Sequence, residues 1–425
     1  MNQRTGIGAV GAVGLGLATA LGFGAAPAGA GADEVTVTFW NYWDGTNGEV
    51  IQELADRYGE ENSGVTVENV FIGWGDLLPK LQAAVAGGEA PDVAAVDLVW
   101  MPQLAGSGRL AALDDYVDEG GVDISDVYPE VLAVDQYDGS LYGLPVSTNN
   151  LQLFINRDLF IAAGLDPDAP PTTWEELRET AAACANPDDA VFGMELFTEP
   201  GEGLTWQFQV YLWQAGGEFL NDDNTAAAFN SPAGERALQF WVDLLHTDGS
   251  APLAPWGQFG QGAACMAMDG SWMVGGLAAD PPFDFDTAPM PYPADGEPAT
   301  NMGGEHAVVF ANDDAAIEQA AFGFVAWLSS PEVQEEWDLE TGFMPIRSAV
   351  AESPTYLEAI ETQEPRMLPF VENQQYARNR PATPAYAEVS DTFSRELELA
   401  LLGDVDVAEA LANAEAAVNE ILAAE

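Results

Sequence analysis

Basic residues are scarce in this sequence. Its 425 residues include 12 Lys plus Arg against 69 Asp plus Glu, a formal net charge of −57, and Lys80 is the single lysine. A field this negative repels a phosphate backbone and argues against nucleic-acid binding. A P-loop requires Gly-Lys-Ser/Thr, but Lys80 follows Pro79, so the sequence argues against ATP hydrolysis by this chain. The acidic excess is typical of adaptation to a salty medium, where ions screen the repulsion between carboxylates.

Histidine and cysteine are equally rare, with two residues of each. His246 and His306 are too few for a multi-histidine zinc site, so we predict neither a metal nor a cofactor. Cys184 and Cys265 can form one disulfide if the chain is exported, or they can remain two buried thiols. We favour the disulfide, although the sequence leaves both states open.

Beyond the N-terminal region, the sequence has no apolar run long enough to cross a bilayer. Within that region, Arg4 precedes an apolar stretch over residues 7–26, and small residues follow over residues 28–32. This pattern predicts a cleaved signal peptide over residues 1–32, with an uncleaved membrane anchor as the alternative. We therefore expect an exported protein that is periplasmic or extracellular and associated with the cell surface.

Short β-branched runs alternate with helical patterns at the start of the mature chain. Residues 35–40, 65–70 and 91–97 predict three strands, and the apolar spacing over residues 49–58 and 77–85 predicts helices between them. This alternation predicts a parallel sheet covered by helices on both faces. In such sheets the ligand crevice lies beyond the carboxyl ends of the strands.

Aromatic and acidic residues gather at these predicted strand ends. Trp43 and Asp44 follow the first strand, Trp74 follows the second, and Asp97 and Trp100 close the third. The apolar C–H face of a pyranose stacks on an indole ring, and carboxylates bond the hydroxyls at its rim. We therefore expect these five residues in a sugar-binding site. For each tryptophan, packing in the core is the alternative.

The second half of the chain predicts further helices. Thr173 and Glu176 are spaced as a capping box, which starts a helix that runs toward Cys184. Helical patterns also cover residues 206–213, 232–246, 317–329 and 411–422.

Five stretches of the sequence carry a family resemblance when they are taken in order. They are LQAAVAGGEAPDVAAVD (81–97), LYGLPVSTNNLQLFINRDLF (141–160), PPTTWEEL (170–177), FNSPAGERALQFWVDLL (229–245) and GAACMAMDGSW (262–272). Together they resemble the extracellular solute-binding proteins of carbohydrate ABC importers, the maltose-binding-protein-like group, over nearly the whole mature chain. Two features depart from that pattern: Ile155 stands where the family usually has Tyr, and no cysteine for lipid attachment precedes Cys184.

The resemblance implies an α/β, two-lobed periplasmic-binding-protein-like fold of type II. Each lobe would be a mostly parallel sheet flanked by helices, and a hinge of several strands would join the lobes. The expected N-terminal lobe is residues 33–147 plus 305–345, and the expected C-terminal lobe is residues 148–304 plus 346–425. The chain would cross between the lobes near residues 147–150, 303–306 and 344–348, and the lobes would close around a solute.

Further candidate site residues follow from these crossing segments and from polar or aromatic residues near them. They are Asn149, Asn150, Trp206, Asp269, Trp272, Gly304, Glu305, His306, Arg347 and Tyr386. For Trp206 the alternative is helix packing, and for Glu305 and His306 it is a solvated hinge turn. Arg378 and Arg380 are predicted to pair with acidic surface residues rather than to bind ligand.

The predicted function is capture of a mono- or oligosaccharide by a monomeric, non-enzymatic protein. The expected partners are the sugar and the permease subunits of an ABC importer with a separate ATPase. One alternative is a secreted glycoside hydrolase, which needs two carboxyls facing one bond with one raised pKa. Another is a binding protein for a different solute, such as glycerol phosphate or a metal ion, although the sequence has few cations and histidines for either.

Overall fold

The computed structural model describes residues 34–279 and 283–424, so the predicted signal peptide lies outside the described residues. The strands there are β1 (Val35–Asn41), β2 (Val65–Phe71), β3 (Val93–Asp97), β4 (Gln136–Tyr137), β5 (Ser140–Leu141), β6 (Gly143–Pro145), β7 (Asn149–Asn156), β8 (Phe192–Glu195), β9 (Ala264–Gly270), β10 (Phe285–Ala288), β11 (Thr300–Gly303), β12 (Glu305–Val309) and β13 (Ala377–Arg378).

The helices are α1 (Gly45–Glu61), α2 (Trp74–Gly87), α3 (Met101–Gly106), α4 (Asp114–Gly120), α5 (Pro129–Leu132), α6 (Arg157–Ala163), α7 (Trp174–Cys184), α8 (Glu202–Gln214), α9 (Pro232–Val242), α10 (Trp272–Ala279), α11 (Ala315–Leu328), α12 (Pro331–Thr341), α13 (Ser348–Ala351), α14 (Pro354–Thr362), α15 (Leu368–Asn373), α16 (Tyr386–Leu402) and α17 (Val407–Leu422). Among them, none combines the length and apolar content that crossing a bilayer requires.

The first sheet has the strand order β2-β1-β3-β12-β6. Strand β1 pairs in parallel with β2 and β3, as the alternation of strands and helices predicts. Strand β12 runs antiparallel to both β3 and β6, so the sheet is mixed. Because β1, β2 and β3 are parallel, their carboxyl ends meet at one edge of the sheet. Phe39 and Val309 of this sheet pack with Phe324 of α11 in one core.

The second sheet has the order β13-β11-β7-β9-β8, and β10 also pairs with β7. Strand β7 is buried at every residue and runs antiparallel to β9, β10 and β11. Within the described residues, the parallel pairs of this sheet are β8–β9 and β11–β13. The expectation of a mostly parallel sheet in each lobe is therefore corrected to two mixed sheets. Leu153 of β7 packs with Phe208 of α8 in the core of this lobe.

The chain passes between the two sheets where β6 leads into β7 and where β11 leads into β12. Gly304 makes the second passage at a positive φ of 151°, and a Cβ there would lie 2.4 Å from the Ser147 carbonyl oxygen. This contact explains why glycine is required. The Thr148 hydroxyl donates to the Gly303 carbonyl at 3.0 Å, and the Met344 N–H donates to the Thr148 carbonyl at 2.8 Å. The crossing segments are therefore bonded together. The residue boundaries predicted for the lobes stay a prediction.

The capping box predicted at Thr173 is present in the structure, whereas one predicted helix ends earlier than expected. The Thr173 side chain accepts from the Glu176 N–H while the Glu176 carboxylate accepts from the Thr173 N–H, which is the predicted capping box. The helix predicted over residues 232–246 is α-helical only to Val242 and continues as a π-helical turn.

A disulfide joins Cys184 at the end of α7 to Cys265 in β9.

Candidate ligand-binding cleft

A cavity of about 420 Å³ lies where the two sheets meet, and residues of both lobes line it. The lining residues are Tyr42, Trp43, Asp44, Asn47, Trp74, Asp97, Asn149, Phe197, Glu199, Pro200, Gly201, Glu202, Gly203, Trp206, Trp272, Gly303, Gly304, Glu305, Phe343 and Arg380. We call this cavity the cleft. It has the size and the position of a small-molecule site between two lobes.

One side of the cleft is formed by the carboxyl ends of the parallel strands. Trp43 and Asp44 follow β1, Trp74 begins α2 after β2, and Asp97 ends β3. Trp74 is 38% exposed, which leaves much of its ring open to a ligand, whereas Trp43 is buried against Trp337 with ring centroids 4.8 Å apart. The strand-end arrangement thus brings one open indole and two carboxylates to the same cavity.

Further aromatic rings line the cleft. Trp206 of α8 and Trp272 at the start of α10 stack with centroids 5.5 Å apart and planes 17° apart. The Phe343 centroid lies 6.3 Å from that of Trp272 and 6.5 Å from that of Trp43, and Phe343 packs in the core of the first lobe. Phe197 also lines the cleft and stacks on Trp256 at 4.0 Å. Flat apolar surfaces of this kind match the C–H faces of sugar rings.

Among the described residues that line the cleft, Arg380 is the only cation, and it is almost fully buried. Its Nη2 donates to Asp97 Oδ1 at 2.9 Å, and its Nη1 donates to Glu202 Oε1 at 2.7 Å. Burial by itself would lower the pKa of Arg380, but the charges of Asp97 and Glu202 outweigh burial and hold that pKa above its usual range. Asp97 belongs to the first sheet and Glu202 to α8 of the second lobe, so Arg380 joins the two lobes through a buried ion pair.

Glu305 lies at the junction of the cleft and the crossing strands. Tyr42 Oη donates to Glu305 Oε1 at 3.0 Å, the Ser147 hydroxyl donates to Oε2, and the Glu305 N–H donates to Ser147 Oγ at 2.9 Å. Burial raises the pKa of Glu305 to about 7; the Ser147 hydrogen bond opposes this shift and the Asp97 charge adds to it. A ligand that touches Glu305 therefore acts directly on a residue of the hinge.

Several buried polar atoms of cleft-lining residues have no hydrogen-bond partner within the described part of the chain. They are Nε1 of Trp43 and Trp206, Nε of Arg380, and Oδ1 of Asn47 and Asn149. A buried polar group left without a partner costs about 1–3 kcal/mol. Three of these atoms are donors and two are acceptors. A hydroxyl group, which both donates and accepts, can satisfy either kind.

The structure brings together nine of the residues that the sequence analysis assigned to the site. They are Trp43, Asp44, Trp74, Asp97, Asn149, Trp206, Trp272, Gly304 and Glu305. The other six, Trp100, Asn150, Asp269, His306, Arg347 and Tyr386, do not line the cleft.

Three of these six residues lie next to residues that line the cleft. Trp100 is buried beneath Trp74, with centroids 6.0 Å apart, and packs in the core. Asn150 points away from the cleft and donates to the Phe370 carbonyl at 2.8 Å. His306 is buried on the opposite face of β12, where its Nδ1 lies 2.9 Å from the Asp135 carboxylate.

The remaining three residues are buried away from the cleft surface. Arg347 is buried and bonds the Ser329 carbonyl at 2.6 Å and the Asp126 carboxylate. Tyr386 donates to Glu202 Oε1 at 2.9 Å, so it holds a cleft residue without lining the cleft itself. Asp269 is buried in β9, and burial raises its pKa to about 8, with the Gly270 N–H opposing the shift.

Eleven further residues that line the cleft were not predicted from the sequence. They are Tyr42, Asn47, Phe197, Glu199, Pro200, Gly201, Glu202, Gly203, Gly303, Phe343 and Arg380. Five of them form the run from Glu199 to Gly203, which leads into the first residues of α8 and combines two acids with Pro200 and two glycines. This composition is a signal in the sequence for a loop that approaches a ligand. Arg380 was expected to pair with acidic surface residues; it is ion-paired, but with carboxylates of the cleft.

Two lobes, joined by crossing strands and enclosing an aromatic and polar cleft, are the architecture of a solute-binding clamp. The chain belongs to the family described as bacterial extracellular solute-binding protein, whose family model matches residues 42–335.

Three proteins illustrate what the chain is similar to within this family. The crystal structure of the cyclic α-maltosyl-1,6-maltose binding protein from Arthrobacter globiformis is 46% identical, covers 92% of this chain and 100% of its own, and has a TM-score of 0.78. An ABC transporter solute-binding protein from Thermotoga lettingae, bound with α-D-tagatose, is 28% identical with a TM-score of 0.83, covering 91% of this chain and 100% of its own. The sn-glycerol-3-phosphate-binding periplasmic protein UgpB of Pectobacterium atrosepticum is 26% identical over 76% of each chain.

Proposed function

We propose that this protein captures a neutral mono- or oligosaccharide in the cleft and delivers it to the permease subunits of an ABC importer. The observation that carries this proposal is the pairing of stacked indole rings with unpartnered donors and acceptors in one cavity. The rings offer surfaces for sugar C–H faces. The unpartnered atoms of Trp206, Arg380 and Asn149 offer bonds to hydroxyls.

The charge of the cleft favours a neutral solute over an anionic one. Five carboxylates line it, those of Asp44, Asp97, Glu199, Glu202 and Glu305, against the single guanidinium of Arg380. That guanidinium already bonds two carboxylates. A phosphate would therefore enter a negative field without an available cation to receive it.

The similar proteins support the same solute class. The relative with 46% identity is a cyclic α-maltosyl-1,6-maltose binding protein, and another neighbour holds α-D-tagatose. Glycerol phosphate binding is the competing candidate, because it is the function named for a 26% identical relative. The sparse cations of the cleft argue against that function here.

The proposal includes closure of the lobes around an intact sugar. Because the ligand would contact Trp74 on one lobe and Trp272 on the other, it would stabilise the closed state. Three of the five cleft carboxylates already have partners: those of Asp97 and Glu202 are bonded to Arg380, and that of Glu305 is bonded to Tyr42 and Ser147. These three are therefore not free to act as the acid and base of a hydrolase. We further propose that the protein is exported by its N-terminal signal and acts as a monomer in a salty medium, at the cell surface or in the periplasm.

A thermal-unfolding screen tests the proposal. The probes are cyclic α-maltosyl-1,6-maltose, maltose and α-D-tagatose, compared with sn-glycerol 3-phosphate. A ligand at 100 times its Kd adds about 2.7 kcal/mol to the free energy of unfolding, so a bound sugar raises the melting temperature measurably. Chromatography of the sugar after incubation checks that it is unchanged. A shift with sn-glycerol 3-phosphate and none with the neutral sugars would refute the proposal, and cleavage products would show an enzyme instead.

A further inference from the structure

We propose that Asp97 and Glu202 determine the charge specificity of the cleft: by holding Arg380 between them, they exclude anionic solutes such as phosphorylated polyols. This inference rests on the proposed function, since it explains why a neutral solute is selected.

The guanidinium of Arg380 is placed where an anion would otherwise bind. It lines the cleft and lies over the Trp206 ring, with its central carbon 5.7 Å from the ring centroid. Two of its nitrogens bond Asp97 and Glu202 at 2.9 and 2.7 Å. Its Nε has no partner among the described residues. A hydroxyl oxygen can accept from Nε while both ion pairs persist.

Both carboxylates are fixed by further hydrogen bonds. Glu202 accepts from the Tyr386 hydroxyl at 2.9 Å and from the Ser390 hydroxyl. Asp97 Oδ1 accepts from the Val99 N–H at 3.1 Å. The acids are therefore not mobile side chains that happen to meet a cation. They belong to a buried network whose geometry is set by residues outside the cleft.

An anion that accepted a hydrogen bond from Arg380 Nε alone would lie beside both carboxylates, and they would repel it. To pair with the other guanidinium nitrogens, it would have to separate Arg380 from one of these acids. The displaced carboxylate would stay buried without its cation, which is strongly unfavourable. The anion would also lie beside that carboxylate, and like charges repel strongly in a partly desolvated site. A neutral polyol incurs neither penalty. Because Asp97 and Glu202 are already bonded to Arg380, the guanidinium accepts a neutral polyol more readily than an anion.

The test compares single charge-removing variants in the full-length mature protein. Glu202→Gln keeps the shape and one acceptor of the side chain but removes its charge from Arg380. Glu199→Gln is the matched control, because it removes an equal charge from an exposed residue of the same cleft that has no ion pair with Arg380. Binding of sn-glycerol 3-phosphate and of cyclic α-maltosyl-1,6-maltose is measured by isothermal titration calorimetry, and folding is checked by circular dichroism.

We expect Glu202→Gln to increase the affinity for sn-glycerol 3-phosphate by about 10- to 100-fold, as removal of one nearby charge predicts. Glu199→Gln should change it far less. The double variant Glu202→Gln with Arg380→Met should lose the gain, because the gain depends on the released guanidinium. If Glu202→Gln does not fold, Asp97→Asn replaces it, since Asn keeps the oxygen that accepts from the Val99 N–H.

Three outcomes overturn the inference: a folded variant without a gain, an equal gain in Glu199→Gln, or a gain that survives Arg380→Met. These outcomes leave the proposed function standing as long as the wild-type protein binds a neutral sugar of the panel. Failure of the wild-type protein to bind any of those sugars refutes the proposed function, whatever the variants do with the anion.

Discussion

Replacement of Glu305 by Gln should change how the stability of the protein depends on pH. The Glu305 carboxyl is 6% exposed, and burial raises its pKa from the ordinary 4.5 to about 7. The folded state therefore binds a proton more tightly than the unfolded state does. Between about pH 4.5 and pH 7 the folded wild-type protein retains a proton that the unfolded chain releases, so stability falls as pH rises through this range.

The size of this effect follows from the interval between the two pKa values. At about 1.4 kcal/mol per pH unit, the wild-type protein loses about 3 kcal/mol of unfolding free energy across the interval through this one group. Glu305→Gln has no proton to lose. The difference in unfolding free energy, variant minus wild type, should thus rise by about 3 kcal/mol between pH 4.5 and pH 8.

Urea unfolding, followed by tryptophan fluorescence across that pH range, measures this difference. Subtraction removes the pH dependence that both proteins share, which is large in a chain with 69 acidic residues. Glu199→Gln, which removes an exposed carboxylate of the same cleft, corrects for the loss of one charge. A difference between Glu305→Gln and wild type that stays constant from pH 4.5 to pH 8 would refute the reasoning.

Three further predictions concern stacking, burial and the disulfide. Trp272→Ala should weaken sugar binding by about 2 kcal/mol, roughly 30-fold, because about 100 Å² of stacking surface is lost; calorimetry checks this, and unchanged affinity removes Trp272 from the site. The unfolding free energy of Asp269→Asn minus that of wild type should rise by up to about 5 kcal/mol between about pH 4 and pH 8. The reason is that the raised pKa of Asp269 favours its protonated form in the folded wild-type protein, so wild type loses stability as pH rises. Sugar affinity should be the same in that variant; a flat stability difference in urea unfolding contradicts the burial argument. Replacing Cys184 and Cys265 by Ser should lower the unfolding free energy by about 4–5 kcal/mol, as expected for an 81-residue loop; an equal urea midpoint would disprove it.

The strand-end half of the cleft could be predicted because it depends on local pattern. Trp43, Trp74 and Asp97 each follow a β-branched run, and parallel strands bring their carboxyl ends together without any knowledge of distant contacts. The residues of the crossing segments, such as Asn149 and Glu305, were identified by family resemblance, not by their own periodicity.

The alternation of side chains along a strand explains two of the six predicted residues that do not line the cleft, Asn150 and His306. Glu305 and His306 are neighbours in β12, yet one faces the cleft and the other bonds Asp135 on the opposite face. Asn149 and Asn150 divide in the same way in β7. Of two adjacent polar residues in a buried strand, only one can therefore face the cleft. Which of the two faces it depends on how each side of the strand packs, and the sequence of the strand does not show this.

Local periodicity and residue order were sufficient for the α/β class, for the helix ends marked by caps, and for the edge of the first sheet where aromatic and acidic residues meet. The charge balance of the cleft needed the folded chain. Arg380 reaches Asp97 across 283 residues of sequence and Glu202 across 178, and only these contacts place the guanidinium between two carboxylates that line the cleft. Contacts between residues so far apart in the sequence depend on how the two lobes pack together. A pattern within one short segment carries no information about that packing.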